Sequence, residues 1–230
     1  MIQERLKKMS NRIYAWLPEP TYTRVRNQKL FDWMNQNGPG KRVLNLGSGV
    51  GQFDHYLSKN IKTINLDISF SKKNIQVIAD AHFLPFKSDC LDIVYSIAVL
   101  EHVKKPWIVA DEIFRVLDSG GYVVLELPFL NVIHDEHDYF RFTDKGIRSL
   151  FDERRFDVIL EQVGSGGGSF LSVFLLEYFE QFIPTKYLKT LWHILMRYVF
   201  CLLKYLDLVL YSSKKLRITA NSFSFLGRKR

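Results

Sequence analysis

The sequence predicts an α/β fold in which a doubly wound, mainly parallel sheet carries helices on its faces. Short apolar runs alternate with segments of helical periodicity from residue 41 to residue 163. The run Leu91–Ile97 is almost continuously apolar, as is typical of a parallel strand buried on both faces. The length of 230 residues is sufficient for one such domain and an appendage.

The first 40 residues predict a helical cap. Apolar residues recur at helical spacing between residues 6 and 17, and a second helix is predicted from Tyr22 to Asn35. The turn sequence Asn37-Gly38-Pro39-Gly40 then marks the start of the core.

The core is predicted to comprise residues 41–163 with 218–230, and to contain seven strands. In chain order these are Arg42–Leu46, Lys62–Leu66, Ile75–Ile78, Leu91–Ile97, Tyr122–Leu127, Phe156–Val163 and a closing strand within residues 220–227. The closing strand is expected to pair with Phe156–Val163. The intervening helices are predicted at Gln52–Ser58, Trp107–Leu117 and Asp144–Phe151.

Residues 164–217 predict a helical insertion before the closing strand. It opens with Gly164-Ser165-Gly166-Gly167-Gly168, which is expected to be a flexible break. Drawn as one helix, Lys186–Leu210 places all its charged residues in one narrow stripe, with apolar residues elsewhere. The members of the stripe are Lys186, Lys189, His193, Arg197, Lys204 and Asp207.

Charges inside this apolar run disfavour a transmembrane span. Three interpretations remain open for residues 170–217. The helix lies on an anionic membrane surface, where Lys214, Lys215 and Arg217 meet lipid headgroups. Alternatively it packs in a homodimer or against the N-terminal cap, or it lines a pocket for a lipid-like acceptor.

Composition places weaker limits on function. The net charge of +8 favours anionic partners, although it also serves solubility alone. The two cysteines, Cys90 and Cys201, lie in no metal-binding or CxxC spacing, which favours a reducing compartment. The charged residues 1–10 resemble no signal peptide. The predicted location is the cytoplasm, with a peripheral position at the inner face of the membrane if the insertion binds lipid.

A glycine-rich loop, Gly47-Ser48-Gly49-Val50-Gly51, follows the first strand. Its glycines permit a tight turn and the close approach of a ligand. The helix predicted after the loop would present free backbone N–H groups to the same ligand. Nucleotide-dependent dehydrogenases share this arrangement, so the loop alone does not decide between ligands. Two acidic residues follow at later strand ends. Asp67 is placed to bind the hydroxyls of a ribose, and Asp80, with Ala81, to face an adenine.

These residues belong to a longer series of motifs that resembles the class I S-adenosylmethionine-dependent methyltransferases, specifically the type 11 group. The matching segments are Val43–Gly51, Ile64–Asp67, Ile78–Ala81 with Leu84-Pro85-Phe86, Leu91–Ser96, Leu100-Glu101-His102-Val103 and Leu117–Gly121. The resemblance implies a Rossmann-like sheet whose last strand is antiparallel, and S-adenosylmethionine as the cofactor.

The resemblance also assigns roles by position. The residues implied to bind the cofactor are Asn45, Gly47, Ser48, Gly49, Gly51, Asp67, Ile68, Asp80, Ala81, Ser96 and Ile97. Ser96 and Ile97 would form the floor beneath the sulfonium. The family often has Asp or Glu where Asn45 stands, and an amide offers no charge to the ammonium group of the cofactor.

The acceptor side is expected in the segment from Pro128 to Thr143, which resembles the His…Asp-Tyr-x-Arg-Phe-Thr stretch of some type 11 enzymes. His134 is the candidate general base, and Tyr139, Arg141 and His102 are candidate acceptor-binding residues. The alternative is that Arg141 and its neighbours only lock this loop and cap the next helix. The spacing of His134 and His137 predicts no metal site.

The sequence therefore predicts transfer of a methyl group to oxygen or nitrogen of a small-molecule, glycan or lipid-linked acceptor. A non-catalytic scaffold with the same fold is the first alternative, and Asn45 is the residue that suggests it. A nucleic-acid methyltransferase is less favoured, because the sequence carries no amino-methylation motif and no RNA-binding module.

Overall fold

The computed structural model describes residues 28–49, 51, 53–69, 74–209 and 214–230. Most of the predicted cap at residues 1–40 lies outside this part of the chain. Its described portion is helix α1 (Gln28–Asn37), which corresponds to the end of the second predicted helix.

The structure contains one seven-stranded sheet in the order β3-β2-β1-β4-β5-β7-β6. The strands are β1 (Val43–Leu46), β2 (Thr63–Asp67), β3 (Val77–Ile78), β4 (Leu91–Ile97), β5 (Leu117–Pro128), β6 (Phe156–Ser165) and β7 (Ser222–Lys229). The pairs β1–β2, β1–β4, β2–β3 and β4–β5 are parallel. Strand β7 runs antiparallel to β5, with Leu125 opposite Phe225. The predicted fold class is confirmed, and β7 pairs with β5 as well as with β6.

Helices cover the sheet through side chains that recur every three or four residues. In α1 the buried residues Leu30, Phe31 and Met34 join a core cluster with Ile93 of β4 and Leu226 of β7. Helix α2 (Pro106–Val116) begins with a proline at its first turn and buries an apolar stripe. Helix α3 (Asp144–Leu150) is capped by the preceding residue, Thr143, whose hydroxyl accepts from the backbone N–H of Gly146 at 3.0 Å.

The helix predicted at Gln52–Ser58 is wrong. Within its described residues, 53–58, only the 3₁₀ turn Asp54–Tyr56 forms, and Leu57 then adopts an extended conformation. The cost of nucleating a helix exceeds what so short a segment gains, and no residue of this turn is buried.

The chain divides into two compact units. Among the described residues, an α/β unit comprises 28–129, 133–164 and 222–230, and a helical unit comprises 130–132, 165–209 and 214–221. The helical unit contains α4 (Gly167–Glu180), α5 (Lys186–Phe200) and the single-turn α6 (Leu206–Val209). The domain boundaries expected from the sequence stay a prediction.

The predicted helix Lys186–Leu210 is not one α-helix. After α5 the chain forms a 3₁₀ segment, Cys201–Tyr205, and then α6. A 3₁₀ segment turns by a larger angle per residue, so the phase of the charged stripe is lost beyond Phe200. Asp207, expected in the stripe, is fully buried instead.

The predicted flexible break at Gly164–Gly168 is also wrong. Gly164 and Ser165 end β6, and Gly167 and Gly168 form the first turn of α4. The glycines allow close packing, because a Cβ on Gly166 would lie 2.4 Å from Oδ1 of Asp207, and one on Gly168 would lie 2.2 Å from the carbonyl oxygen of Leu203.

Helix α5 turns its charged side toward α4. Glu180 of α4 accepts from Nε2 of His193 at 2.8 Å, and its other oxygen lies 3.5 Å from Nζ of Lys189. The opposite face of α5 exposes large apolar side chains, among them Tyr187, Leu188, Leu191, Leu195, Tyr198 and Val199. No helix among the described residues is both long and apolar enough to cross a bilayer.

Candidate cofactor and acceptor site

The glycine-rich loop leaves β1 at the carboxyl edge of the sheet. Its glycines 47, 49 and 51 have positive φ values of 70°, 56° and 74°. The backbone N–H groups of Gly47 and Ser48 donate to the carbonyl oxygen of Leu66 at 2.8 and 2.9 Å, which fixes the loop to β2. A Cβ on Gly47 would lie 2.4 Å from a methyl carbon of Val99, so only glycine fits there.

Asp67, the last residue of β2, lies beside this loop. Its buried carboxylate accepts from the backbone N–H of Gly49 at 2.8 Å and from that of Ser69 at 2.9 Å. The next residue, Ile68, is largely exposed. The structure thus brings together the loop and the acidic residue that the sequence predicted as its partner.

The remaining predicted cofactor residues follow neighbouring strands. Asp80 comes after β3 and accepts from the backbone N–H and from Nδ1 of His82, at 2.9 and 2.6 Å. Its neighbour Ala81 is partly buried. Ser96 and Ile97 end β4, and both are buried. The hydroxyl of Ser96 has no hydrogen-bond partner among the described residues.

A carboxylate that sequence reasoning missed lies next to Asn45. Nδ2 of Asn45 is 3.5 Å from Oδ1 of Asp54 and 3.1 Å from Oδ1 of Asn65. Burial raises the pKa of the Asp54 carboxyl, and it also raises the pKa of the nearby Tyr95 hydroxyl. The carboxylate that position 45 lacks is therefore supplied by Asp54, 3.5 Å away on the turn after the loop. Spacing gave no signal for it, because the sequence predicted a regular helix there.

On the acceptor side, Arg141 is held by Asp138. Both guanidinium terminal nitrogens donate to the Asp138 carboxylate, one of them at 2.7 Å, and Nη1 also donates to the carbonyl oxygen of Phe140. The guanidinium lowers the pKa of Asp138 to about 2. This geometry supports the loop-locking interpretation of Arg141, while Tyr139 stays exposed with its ring stacked on that of His137.

His102 and His134 meet at the same edge, beside a buried carboxyl group. Their Nε2 atoms are 3.2 Å apart, and Nε2 of His102 is 3.7 Å from Oε1 of Glu101. Glu101 is fully buried, and neither of its carboxyl oxygens has a hydrogen-bond partner in the described part of the chain. Burial raises the pKa of Glu101 to about 8.

Glu101 is the second residue that sequence reasoning missed. It belongs to the segment Leu100–Val103 that resembles the family, but the sequence predicts an acceptor-binding role only for His102 there. Its backbone carbonyl accepts from the N–H groups of Tyr139 and Phe140, at 2.8 and 3.3 Å. The loop that carries His134 is thereby anchored to the turn Leu100–His102.

The α/β unit fits an adenosine cofactor with a methionine tail. A buried carboxylate lies beside a loop that only glycine can form, which suits a ribose at close range. The desolvated Asp54 suits an ammonium group, because an opposite charge would relieve the cost of its burial. The hydroxyl groups of Ser48 and Ser96 are buried, and within the described residues nothing satisfies them.

Comparison with known proteins agrees with this fit. An uncharacterised methyltransferase of Mycobacterium leprae is 32% identical over 108 residues, which is 40% of each chain. An uncharacterised protein of Methanocaldococcus jannaschii is 31% identical over 139 residues, covering 52% of this chain and 60% of its own. The chain thus spans about half the length of these curated relatives.

Solved structures share the fold at low sequence identity. The [4+2]-cyclase SpnF superposes with a TM-score of 0.60 at 15% identity, covering 89% of this chain and 80% of its own. Coclaurine N-methyltransferase, solved with N-methylheliamine and S-adenosylhomocysteine (SAH), gives 0.53 at 16% identity, with 88% and 69% covered.

A family model described as a methyltransferase domain matches residues 22–182, well over half of the chain. Together with the sheet order and the loop geometry, this match identifies the chain as a member of the methyltransferase-domain family.

Proposed function

We propose that this protein transfers a methyl group from S-adenosylmethionine to a small-molecule, glycan or lipid-linked acceptor. The proposal rests on the contact between the glycine-rich loop and Asp67. The Asp67 carboxylate accepts from the backbone N–H of Gly49 at the carboxyl edge of the sheet. The cofactor supplies a methyl group activated on a sulfonium, so the chain has mainly to align donor and acceptor.

Several of the predicted cofactor residues would take part in this alignment. Asp67 would bind the ribose hydroxyls and Asp80 the adenine amine, while the loop would approach the methionine tail. We add Asp54 as the partner of the ammonium group, since it stands next to Asn45. The buried pair Ser96 and Ile97 would keep water from the reacting centre.

On the acceptor side, we propose that His134 removes a proton if the acceptor is a hydroxyl or an ammonium group. His134 is partly exposed and lies beside His102, so an acceptor can reach both rings. We assign to Arg141 a structural role in holding Asp138, which in turn orients His134 through Nδ1 at 3.2 Å.

Calorimetric titration of the full chain with S-adenosylmethionine and SAH tests the cofactor. We expect binding of both, and a marked loss of affinity in Asp67→Ala. Asp157→Ala serves as the control, because Asp157 is an exposed residue of β6 paired with Arg230. Absence of binding at millimolar ligand would exclude the proposed reaction.

Transfer of labelled methyl groups from S-adenosylmethionine to cell-envelope extracts, small metabolites and RNA identifies the acceptor class. We expect label in the small-molecule or envelope fractions. Label in RNA alone would contradict the proposed acceptor, and cofactor binding without any transfer would favour the non-catalytic scaffold.

We also propose that the helical unit holds the enzyme at an anionic membrane surface, and so near lipid-linked acceptors at the inner face of a membrane. The apolar face of α5 is exposed while its charged side is paired with Glu180 of α4, which is the reverse of a helix packed on its own core. The net charge of +8 would add attraction to anionic headgroups.

Flotation with vesicles containing an anionic phospholipid tests this surface. We expect Leu191→Ser/Leu195→Ser to reduce vesicle binding strongly, because both side chains are half-exposed on α5. Ile133→Ser is the matched control, since Ile133 is an exposed apolar residue of the α/β unit. Equal flotation of the two variants would exclude a role for α5, and a stable dimer lost in the double variant would assign this face to a second copy.

A further inference from the structure

We propose that Glu101, His102 and His134 form a binding site for one divalent transition-metal ion. Their nearest ligand atoms all lie within 4.8 Å of one another. This set differs from the pair His134 and His137 that the sequence brought to attention. His137 contributes its backbone carbonyl instead of its ring.

The hydrogen positions of the two rings favour a shared cation. Nδ1 of His102 lies 2.7 Å from the carbonyl oxygen of His137, and Nδ1 of His134 lies 3.2 Å from the carboxylate of Asp138. Both of these oxygens are acceptors, so both Nδ1 atoms carry hydrogen. In neutral imidazoles the two Nε2 atoms then present lone pairs to each other at 3.2 Å. This contact is repulsive unless a proton or a metal ion is shared between the two nitrogens.

The spacing of the two ring nitrogens also fits one bound ion. Two imidazole nitrogens bound to one tetrahedral ion at ~2.0–2.1 Å are ~3.3–3.4 Å apart. The observed separation of 3.2 Å is close to that value. The rings stand at 83° to each other, so they meet without stacking.

The carboxyl group of Glu101 lies where a bound ion would serve as its partner. It is fully buried, and its two oxygens have no hydrogen-bond partner within the described residues. Burying a carboxylate without a partner is costly, whereas a metal ion beside His102 would neutralise it. Oε1 already lies 3.7 Å from Nε2 of His102.

The surroundings fit a transition metal better than Mg²⁺ or Ca²⁺. Two imidazoles and one carboxylate suit Zn²⁺, Fe²⁺ or Ni²⁺, because Mg²⁺ and Ca²⁺ prefer oxygen ligands throughout. Hydrogen bonds from Nδ1 to a carbonyl and to a carboxylate are the usual second contacts of metal-bound histidines. The partial exposure of both rings leaves further coordination positions open to solvent.

A second group of potential ligands, Glu177, Glu180 and His193, lies in the helical unit. There Glu180 already pairs with Lys189 and with His193, so two basic side chains serve it. We propose no ion at that group, and it supplies a control.

Two of the three ligands, Glu101 and His102, lie on the turn that begins three residues after the end of β4. If the proposed methyl transfer is correct, an ion bound here would occupy Nε2 of His134 and would replace that ring as the means of deprotonation. An open coordination position would bind an acceptor oxygen and lower the pKa of its hydroxyl, whose proton would pass to solvent. Only this consequence rests on the proposed function, because ion binding itself requires no cofactor.

Zn²⁺ titration of the untagged full chain, stripped with chelator and dialysed, tests the site by calorimetry, with Co²⁺ absorption as a second probe of the ligands. We expect one ion per chain and a Co²⁺ spectrum of histidine ligation. His134→Ala should weaken binding by at least ~100-fold, and Asp138→Asn by ~10–100-fold. Glu101→Gln should also weaken Zn²⁺ binding, and circular dichroism checks that this variant folds. If it does not fold, His134→Ala still tests the site, because the His134 side chain is partly exposed.

His193→Ala is the matched control and should bind Zn²⁺ as the unaltered chain does. Absence of Zn²⁺ binding, equal affinity in His134→Ala, or loss of binding in His193→Ala would each overturn the proposal. SAH titration of the stripped protein separates the two proposals: binding of SAH without Zn²⁺ binding leaves the proposed function intact, and the converse leaves the metal site intact.

Discussion

At the scale of single residues, two acidic side chains that the sequence did not single out, Asp54 and Glu101, lie among the residues of the proposed site. Asn45 stands where the family resemblance implies an acid, and Asp54 places a carboxylate oxygen 3.5 Å from its amide nitrogen. Partial burial raises the pKa of Asp54, and a bound cation would lower it again. The departure at position 45 therefore does not argue for a non-catalytic scaffold.

Replacing Asp54 with Asn should weaken S-adenosylmethionine binding by roughly 10–100-fold, because a partly buried charge-assisted hydrogen bond contributes about 1.5–3 kcal/mol. The binding of 5′-methylthioadenosine should not change, since that ligand lacks the amino-acid ammonium group. Calorimetry measures both affinities. Equal losses for the two ligands would mean that Asp54 supports the loop and does not contact the ammonium.

Two glycines of similar backbone conformation separate strain from steric conflict. Gly47 and Gly40 have φ values of +70° and +75°, but an added Cβ meets Val99 at 2.4 Å in the first case and nothing within 4 Å in the second. Gly40→Ala should lower the free energy of unfolding by about 1–2 kcal/mol, because only the strain of the left-handed backbone conformation is added.

Gly47→Ala should cost roughly 3–4 kcal/mol and impair cofactor binding, because overpacking adds to the strain. Urea denaturation of both variants gives the comparison. If the two losses are equal, the contact with Val99 is relieved by movement and the loop is less tightly fixed than its hydrogen bonds to Leu66 suggest.

Sequence patterns identify site residues that lie at strand ends, but not those that depend on a turn. Asp67 was predictable because it ends a strand that follows the glycine-rich loop at a fixed interval. Asp54 and Glu101 lie on 3₁₀ turns, which have no periodicity of their own. The importance of Glu101 follows only from its burial and from the rings around it, and both are tertiary properties.

At the scale of elements, strands were predicted more reliably than helices. Leu91–Ile97 was predicted with both ends correct, because burial on two faces leaves a continuous apolar run. Beyond Phe200 the apolar content continues, but the chain changes from α to 3₁₀ geometry. Composition alone does not reveal that change. A single helix drawn through Lys186–Leu210 therefore puts Asp207 in the charged stripe, whereas the structure buries it.

Asp207 caps helix α4 from a distant part of the sequence. Its carboxylate accepts from the backbone N–H groups of Gly166, Gly168 and Ser169 at 2.8–3.1 Å, and from the hydroxyl of Ser169 at 2.7 Å. These are the donors that a helix start leaves free, and the helix dipole adds to the attraction.

Asp207→Ala should therefore destabilise the helical unit by about 2–4 kcal/mol, since it leaves several buried donors without an acceptor. Thermal unfolding followed by circular dichroism measures the loss. Asp111→Ala is the control, because Asp111 forms an exposed ion pair with Arg155 and such pairs contribute about 0–1 kcal/mol. A loss no greater than the control would show that water satisfies these donors.

At the scale of the whole molecule, the α/β unit assigns the family but does not choose the reaction. The same fold occurs in a [4+2]-cyclase and in an N-methyltransferase, at 15% and 16% identity to this chain. What distinguishes this chain must lie in the residues of its own site and in the helical unit between β6 and β7.

The two ends of the helical unit lie within hydrogen-bonding distance. The backbone N–H of Asn221 donates to the carbonyl oxygen of Ser165 at 2.7 Å, and the hydroxyl of Ser165 donates to Oδ1 of Asn221, also at 2.7 Å. Any linker that joins these ends therefore spans a short distance, and a short loop has a low entropic cost of closure.

Replacing residues 167–219 with a Gly/Ser linker of about four residues should accordingly leave an α/β unit that unfolds cooperatively. The α/β unit retains β7, whose insertion between β5 and β6 supplies its own sheet contacts. Circular dichroism and differential scanning calorimetry measure the transition, with the full chain as the reference. Loss of cooperative unfolding would show that the sheet depends on the helical unit for stability. A cooperative transition together with loss of vesicle flotation would assign membrane binding to the helical unit.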